Sequence, residues 1–202
     1  EYARWILALT SAELLLQMGG LGIATYLTKV LYRYHDERGP RYFGMGATIV
    51  MAATILGAVG MAIASAWLSR MVIGPEARRD LFAWLALYAG LAQLANLTIL
   101  YLSTLVRYRA YFWFVTLRWV GNVTFLLTAL LGYGQGFYSW VWAWVGTETL
   151  LLPLSLYHLR AVGWGWYRPR MLSFARRFSL PAFAMNLVGW GQERIGRYLL
   201  SF

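Results

Sequence analysis

The sequence predicts an all-α membrane protein, a polytopic transmembrane helix bundle with about six spans. Hydrophobic residues make up 60% of the 202-residue chain and charged residues 13%, roughly half the charged share of a soluble domain. The apolar residues are concentrated in long segments, each of which supplies the roughly 20 helical residues that cross a bilayer. These segments are 5–32, 43–68, 81–106, 110–132, 137–157 and 178–202.

The first segment, 5–32, is long enough to span a bilayer but carries Glu13 and Lys29. It is too long and too polar for a secretory signal peptide, and no small-residue cleavage site follows it. Glycines within a membrane helix allow close contact with a neighbour and also weaken the helix. Three of them lie near the middle of this segment: Gly19, Gly20 and Gly22.

The second and third segments, 43–68 and 81–106, contain no Asp, Glu, Lys or Arg residue. Small residues at four-residue spacing let two helix backbones approach closely in lipid. The second segment has such a stripe, formed by Ala58, Ala62 and Ala66. We therefore expect this stripe to lie in a helix–helix contact, with Ala53 and Gly57 on a similar face.

The fourth and fifth segments bring charge deep into the expected bilayer. Arg118 lies about nine residues, or roughly 13 Å of helix, inside segment 110–132, which is too deep for its head group to reach water easily. Asn122 follows one turn later on the same helix face. Glu148 lies near the middle of the fifth segment. Because adjacent antiparallel helices bring their midpoints together, we expect Glu148 to form an ion pair with Arg118.

The sixth segment, 178–202, carries three charged residues near its end: Glu193, Arg194 and Arg197. Glu193 and Arg197 have the four-residue spacing that supports an ion pair on one helix. Pro153 and Pro181 are expected to kink the fifth and sixth helices, because each proline removes a backbone donor.

Loop charge predicts the orientation of the bundle. The net charge is +10, which in a soluble protein would suggest nucleic acid. Here the positive charge falls mainly between apolar segments, so no nucleic-acid partner is expected. The Lys/Arg-rich loops should be cytoplasmic, and the aromatic, arginine-rich third loop could lie on anionic membrane lipids. These loops are 31–42, 107–109 and 158–177; the poorer loops are 70–80 and 133–136.

The intramembrane charges admit two interpretations. They either form paired polar anchors within the bundle or line a water-filled cavity whose arginine excess suits an anionic headgroup. The candidate substrate-binding residues are Arg118, Glu148, Asn122, Glu13, Lys29, Glu193, Arg194 and Arg197.

No sequence motif indicates an enzyme. The chain lacks a Gly-rich phosphate loop, the zinc-protease motif and a nucleophile elbow. It has no cysteine, and His35 and His158 are isolated from other metal ligands. We therefore expect no catalytic residues, no metal and no cofactor.

Two stretches resemble a known family. The first segment contains GGLGIATYLTKVLYRY at residues 19–34, and the sixth contains SLPAFAMNLVGWGQERIGRYLLSF at residues 179–202. They are similar to the second and seventh helices of the polysaccharide and O-antigen flippases, in the multidrug/oligosaccharidyl-lipid/polysaccharide exporter superfamily. The Arg-x-Arg turn at Arg107 and Arg109 fits the same pattern. The sequence departs from it at Gly196, where many members carry an acidic residue.

The resemblance implies an incomplete two-lobe exporter fold. Residues 1–160 would be a partial amino-terminal lobe of five spans, 161–177 a basic cytoplasmic linker, and 178–202 the first helix of a second lobe. Residue 1 is Glu, and the last apolar segment continues to Phe202. We therefore expect the sequence to be an internal portion of a longer membrane protein.

The function implied is translocation of a polyprenyl-pyrophosphate-linked oligosaccharide across the cell inner (plasma) membrane, for surface polysaccharide synthesis by alternating access. A proton or sodium ion is a possible coupling cation. One alternative is a cation-coupled exporter of small molecules with the same fold. Another, from a different class, is a membrane-embedded glycosyl- or acyltransferase, which needs catalytic acid or histidine groups near a leaflet surface.

Overall fold

The computed structural model describes residues 2–20, 23–33, 38–74, 78–133, 136–165, 177, 181–189 and 191–192. Within these ranges every regular element is an α-helix, which confirms the all-α prediction. The helices are α1 Tyr2–Gly20, α2 Ile23–Arg33, α3 Arg38–Ile63, α4 Ser65–Val72, α5 Leu81–Thr104, α6 Tyr108–Tyr133 and α7 Gly136–Leu159. Residues 181–189 are also helical.

Helix α5 is the centre of the bundle, since it packs against every other helix from α1 to α7. Its sequence suits this position because it has no charged side chain and presents small residues such as Ala86, Ala89 and Ala92, all of which are buried. Short side chains let neighbouring backbones approach closely. By contrast, α6 packs mainly on α7 and leaves large apolar side chains such as Trp119 and Leu131 exposed.

Three helices in the described part of the chain are both long and apolar enough to cross a membrane: Gly39–Ile63 in α3, Leu81–Thr104, and Tyr108–Gly132 in α6. Their mean hydropathies are 2.0, 1.5 and 1.5. These helices indicate a membrane protein, but the expected count of about six spans is not confirmed. Most of the sixth segment lies outside the described residues, and α7 is rich in Trp and Tyr, which are less apolar than aliphatic residues.

The second apolar segment is divided between two helices. Helix α3 ends at Ile63 and α4 begins at Ser65. The Ser65 hydroxyl donates a hydrogen bond to the Arg79 carbonyl oxygen at 2.7 Å and accepts one from the Ala83 backbone N–H at 3.0 Å. These two hydrogen bonds of the buried serine link the start of α4 to the start of α5.

The alanine stripe on α3 and α4 does not form the expected helix contact within the described residues, because Ala62 and Ala66 are exposed. The close approach lies on a neighbouring face. A β-carbon added to Gly57 would collide with Leu15 of α1, and one added to Gly19 would collide with Thr54 of α3. Periodicity located small residues correctly but did not identify which of them meet another helix.

At each end of the bundle, a loop contacts one end of a helix that is distant in sequence. At one end, Gly44 of α3 lies against the backbone of Gly163, and the Gly165 N–H donates to the Thr48 hydroxyl at 2.9 Å. At the other end, the Arg78 backbone N–H donates to the Tyr138 hydroxyl at 3.0 Å. Each contact joins a loop to the part of a helix that adjoins another loop with the same predicted side.

The orientation can be tested by cysteine labelling, since the native chain has no cysteine. Arg79→Cys and Arg109→Cys lie at opposite ends of α5 and α6, and both positions are exposed. We expect a membrane-impermeant maleimide to label Arg79→Cys in intact cells, and Arg109→Cys only after permeabilisation, because Lys/Arg-rich loops stay in the cytoplasm. The reverse pattern would overturn the assignment.

Candidate functional site

A salt bridge between α6 and α7 forms the centre of the candidate site. The Arg118 guanidinium donates to Oε1 of Glu148 through Nε at 2.7 Å, and also through Nη2. Glu148 is only 3% exposed, whereas the side chain of Arg118 is 19% exposed. The pairing expected from the positions of the two residues is therefore present, and the arginine keeps limited access to the surroundings.

Asn96 of α5 is the third member of this network. Its side-chain oxygen accepts a hydrogen bond from Nη1 of Arg118 at 3.0 Å. Sequence reasoning missed this residue, because Asn96 lies in a segment with no charged side chain and matches only a glycosylation pattern that has no meaning within a membrane span. The position of Asn96 could have indicated this contact. Asn96 lies about as many residues before the α5–α6 turn as Arg118 lies after it, so the two residues reach a similar depth in the membrane.

The turn between α5 and α6 sets this register. The Arg107 N–H bonds to the Leu102 carbonyl oxygen at 3.0 Å, and Val106 has φ 57°. This backbone ends α5 tightly in the left-handed conformation that commonly closes helices. Helices α5 and α6 therefore run as an antiparallel hairpin, which brings Asn96 and Arg118 to the same depth.

Close packing of α6 on α7 places Glu148 within reach of Arg118. A β-carbon on Gly121 would lie only 3.1 Å from Cγ2 of Thr147, so glycine at this position lets the two backbones approach. Thr147 directly precedes Glu148, and Gly121 lies about one helical turn beyond Arg118. Glycine at this position therefore permits the close approach of α6 and α7 that brings the charged partners together.

Two acceptor oxygens at the site have no hydrogen-bond partner among the described residues. They are Oδ1 of Asn122, one turn after Arg118 on α6, and Oε2 of Glu148, and both atoms are buried. Arg118 also has spare capacity, since a guanidinium carries five N–H groups and three of them are used by Glu148 and Asn96. The site therefore offers two further donors and two unsatisfied acceptors.

Glu13 of α1 and the Arg118–Glu148 pair all lie near enough to Tyr88 of α5 to contribute to the electrostatic environment of its hydroxyl. Tyr88 itself stacks on Trp144, with 5.3 Å between ring centroids.

A cavity of about 260 Å³ lies beside Asn96, and Gly20 of α1 and Gln93 of α5 also line it. Gln93 is 7% exposed and was not singled out by sequence reasoning. It lies one turn before Asn96, so two amide side chains of α5 line a cavity whose other walls are largely apolar.

The remaining predicted site residues are Lys29, Glu193, Arg194 and Arg197. Lys29 is exposed on α2, and the hydrogen bonds of Arg118 are made to Glu148 and Asn96. Glu193, Arg194 and Arg197 lie outside the described residues. Of the predicted set, the structure joins Arg118 directly to Glu148, and Asn122 lies one helical turn after Arg118 on α6.

No group of three or more potential metal ligands occurs among the described side chains. Comparison of the chain with protein-family models, with curated proteins and with solved structures gave no match. The functional interpretation therefore depends on the chemistry of the Arg118 site.

Proposed function

We propose that the protein is a flippase of the inner membrane that translocates a polyprenyl-pyrophosphate-linked oligosaccharide for surface polysaccharide synthesis. The supporting observation is the Arg118 site, a deep ion pair with donors and acceptors left over. In a purely structural ion pair, the polar groups would be expected to satisfy one another's hydrogen-bonding capacity. Here two buried acceptor oxygens lack a described partner, and polar groups at membrane depth are costly to leave unsatisfied.

The chemistry of the proposed substrate complements these groups. Pyrophosphate oxygens accept hydrogen bonds, and the planar guanidinium of Arg118 presents several donors in a geometry that suits phosphate. Sugar hydroxyl groups donate hydrogen bonds, which Oδ1 of Asn122 and Oε2 of Glu148 can accept. Glu148 also balances the arginine charge while no substrate is bound, so the site need not hold a lone cation in hydrocarbon.

Transport would follow the alternating-access mechanism, in which two lobes rock about a site near the bilayer midplane. In this proposal the bundle has about six spans, with residues 1–160 in one lobe. Residues 161–177 form a cytoplasmic linker, and residues 178–202 begin a second lobe. Glu193, Arg194 and Arg197 belong to this last segment and are assigned to the substrate site in the same proposal.

One observation favours a second candidate, a cation-coupled exporter of small molecules with the same fold. Oε2 of Glu148 is buried with no described partner, and an intramembrane carboxylate is a common proton or sodium site in transporters. Glu148→Gln separates the two functions when export is compared at equal membrane protein level, because the substitution leaves the charge of Arg118 unbalanced. It keeps an acceptor for Arg118, so lipid-linked oligosaccharide export per protein should be partly retained, whereas cation-coupled export should be lost.

The proposal is tested by deleting the gene in its native host and restoring it from a plasmid, with surface polysaccharide as the readout. Deletion should abolish surface polysaccharide and cause lipid-linked oligosaccharide to accumulate on the cytoplasmic leaflet. Asn122→Ala should reduce export severalfold, because it removes one acceptor of the site. Thr124→Ala provides a matched control on an exposed position of the same helix and should export normally.

An unchanged surface polysaccharide in the deletion strain contradicts the flippase function. If that strain instead becomes sensitive to toxic small molecules, the exporter alternative is supported. Equal export by the Asn122→Ala and Thr124→Ala variants would remove Asn122 from the binding site.

A further inference from the structure

A second cavity, separate from the Arg118 site, lies between α6 and α7 and has a volume of about 960 Å³. Its walls are mostly apolar or aromatic, and its open side is lined by exposed side chains such as Trp142 and Leu150. The two threonines in its wall are satisfied within their own helices. Thr128 donates to the Thr124 carbonyl oxygen at 2.8 Å, and Thr149 donates to the Val145 carbonyl oxygen at 2.7 Å.

One end of this groove is polar. Ser139, in the first turn of α7, lines the cavity and is 1% exposed, and its hydroxyl has no hydrogen-bond partner among the described residues. A buried hydroxyl without a partner is costly, so a ligand group that hydrogen-bonds to it would be stabilised. Arg78 lines the same cavity from the loop before α5.

Arg78 is held at the groove by Tyr138. Its backbone N–H donates to the Tyr138 hydroxyl at 3.0 Å, and its guanidinium lies over the tyrosine ring with 5.3 Å between Cζ and the ring centroid. Nε and Nη2 of Arg78 also donate to the two carboxylate oxygens of Asp80, each at 3.2 Å, and the two side chains are 50% and 43% exposed. Solvent weakens an ion pair at this exposure, so a phosphate group can compete with Asp80 for the guanidinium of Arg78.

The groove is long enough to hold an acyl chain. It extends along α7 from Ser139 to Pro153, which corresponds to about 21 Å at the helical rise of 1.5 Å per residue. The hydrocarbon of one leaflet is roughly 15 Å deep, half of the full core. The apolar wall therefore continues through the depth of one leaflet, with its polar end on the side of the 70–80 loop.

We propose that this groove binds an anionic phospholipid of the bilayer. The headgroup phosphate contacts the guanidinium of Arg78 and accepts a hydrogen bond from Ser139, and one acyl chain lies between α6 and α7 toward Pro153. This inference does not depend on the flippase function, because it uses neither Arg118 nor its partners. By the loop-charge assignment, the lipid belongs to the outer leaflet.

Headgroup recognition is tested by native mass spectrometry of the purified protein with phosphatidylglycerol or phosphatidylcholine of identical acyl chains. The wild-type protein should retain phosphatidylglycerol preferentially. Arg78→Gln should lower its retention about tenfold, to the level of phosphatidylcholine, because a charge-assisted hydrogen bond is lost. Arg79→Gln changes an exposed neighbouring arginine that does not line the groove and should keep the preference.

Occupation of the groove is tested by a matched pair of substitutions on α6. Thr128→Phe places a ring in the cavity, whereas Thr124→Phe places it one turn away at an exposed position that does not line the cavity. Thr128→Phe should abolish retention of both lipids, and Thr124→Phe should have no effect. In the otherwise native protein, phosphatidylglycerol brominated on its acyl chain should quench tryptophan fluorescence, and Trp142→Phe should remove part of that quenching.

Equal lipid retention by Thr128→Phe and Thr124→Phe, or quenching that does not depend on Trp142, would overturn the lipid site. Equal phosphatidylglycerol retention by Arg78→Gln and Arg79→Gln would overturn the assigned headgroup contact. If Thr128→Phe instead dissociates a dimer while lipid retention is unchanged, a second copy of the chain occupies the groove and the proposal is wrong.

Discussion

The double variant Arg118→Gln/Glu148→Gln is expected to reach the membrane at a normal level and to lose oligosaccharide export. Removing only the arginine would leave Glu148 buried without its partner, a defect that costs about 3–5 kcal/mol in folded proteins. Neutralising both partners avoids that cost, since uncharged replacements of a buried pair are often tolerated. The double variant therefore keeps the anchor role of the pair but loses the guanidinium proposed to bind pyrophosphate.

Arg118→Lys supplies the companion measurement. Lysine keeps the charge but lacks the planar set of donors, so we expect reduced export rather than none. Surface polysaccharide and membrane protein level should be measured in the same cells. Normal export by the glutamine double variant would show that Arg118 has no role in substrate binding. Loss of that protein from the membrane, with a normal level for Arg118→Lys, would make the residue a structural anchor.

Gly44→Ala is expected to destabilise the folded protein strongly. A β-carbon at this position would lie 2.9 Å from the Gly163 backbone nitrogen and closer still to its carbonyl group. Backbone atoms cannot rotate away as a flexible side chain can, so either α3 or the segment after α7 must move. Overpacking of this kind costs about 1–3 kcal/mol, and here it also strains the hydrogen bond between Gly165 and Thr48. Thermal unfolding of the purified protein measures the effect.

Gly60→Ala is the matched control for this prediction. Gly60 lies in the same helix, and, apart from the neighbouring backbone of that helix, no atom of the described residues lies within 4 Å of the position of its added β-carbon. Alanine is a better helix former than glycine by about 1 kcal/mol in soluble helices, so the control should unfold at the same temperature or slightly higher. Similar unfolding temperatures for Gly44→Ala and Gly60→Ala would show that the contact with Gly163 is not tight.

The charged centre of the site was predictable from sequence, but its full composition was not. Hydropathy located Arg118 and Glu148 within neighbouring apolar segments, and antiparallel connection of those segments brings them to similar depth. Asn96 carries no charge and does not disturb the hydropathy of α5, so its contact with Arg118 required the register set by the turn at Val106. Uncharged partners of a charged group depend on register, which hydropathy does not encode.

Helix boundaries and helix partners show the same limit. Averaged hydropathy joined α3 and α4 into one segment, because the boundary depends on hydrogen bonds from Ser65 to residues far along the chain. Likewise, the spacing of Ala58, Ala62 and Ala66 identifies a face of small residues but not the helix that meets it. The contact of Gly44 with Gly163 joins two residues that are far apart in the sequence. No local sequence pattern indicates such a contact.

The order of residues in the Arg118 network bears on how the protein enters the membrane during synthesis. Asn96 precedes Arg118 along the chain, and Glu148 follows both. Domains fold in the order in which the ribosome releases them, so α6 inserts when α5 is already available and α7 is not. A central arginine costs about 2.5–3.5 kcal/mol on insertion scales, and during this interval the amide of Asn96 is its available partner. We therefore expect replacement of Asn96 to impair insertion of newly made chains more than it impairs the completed bundle.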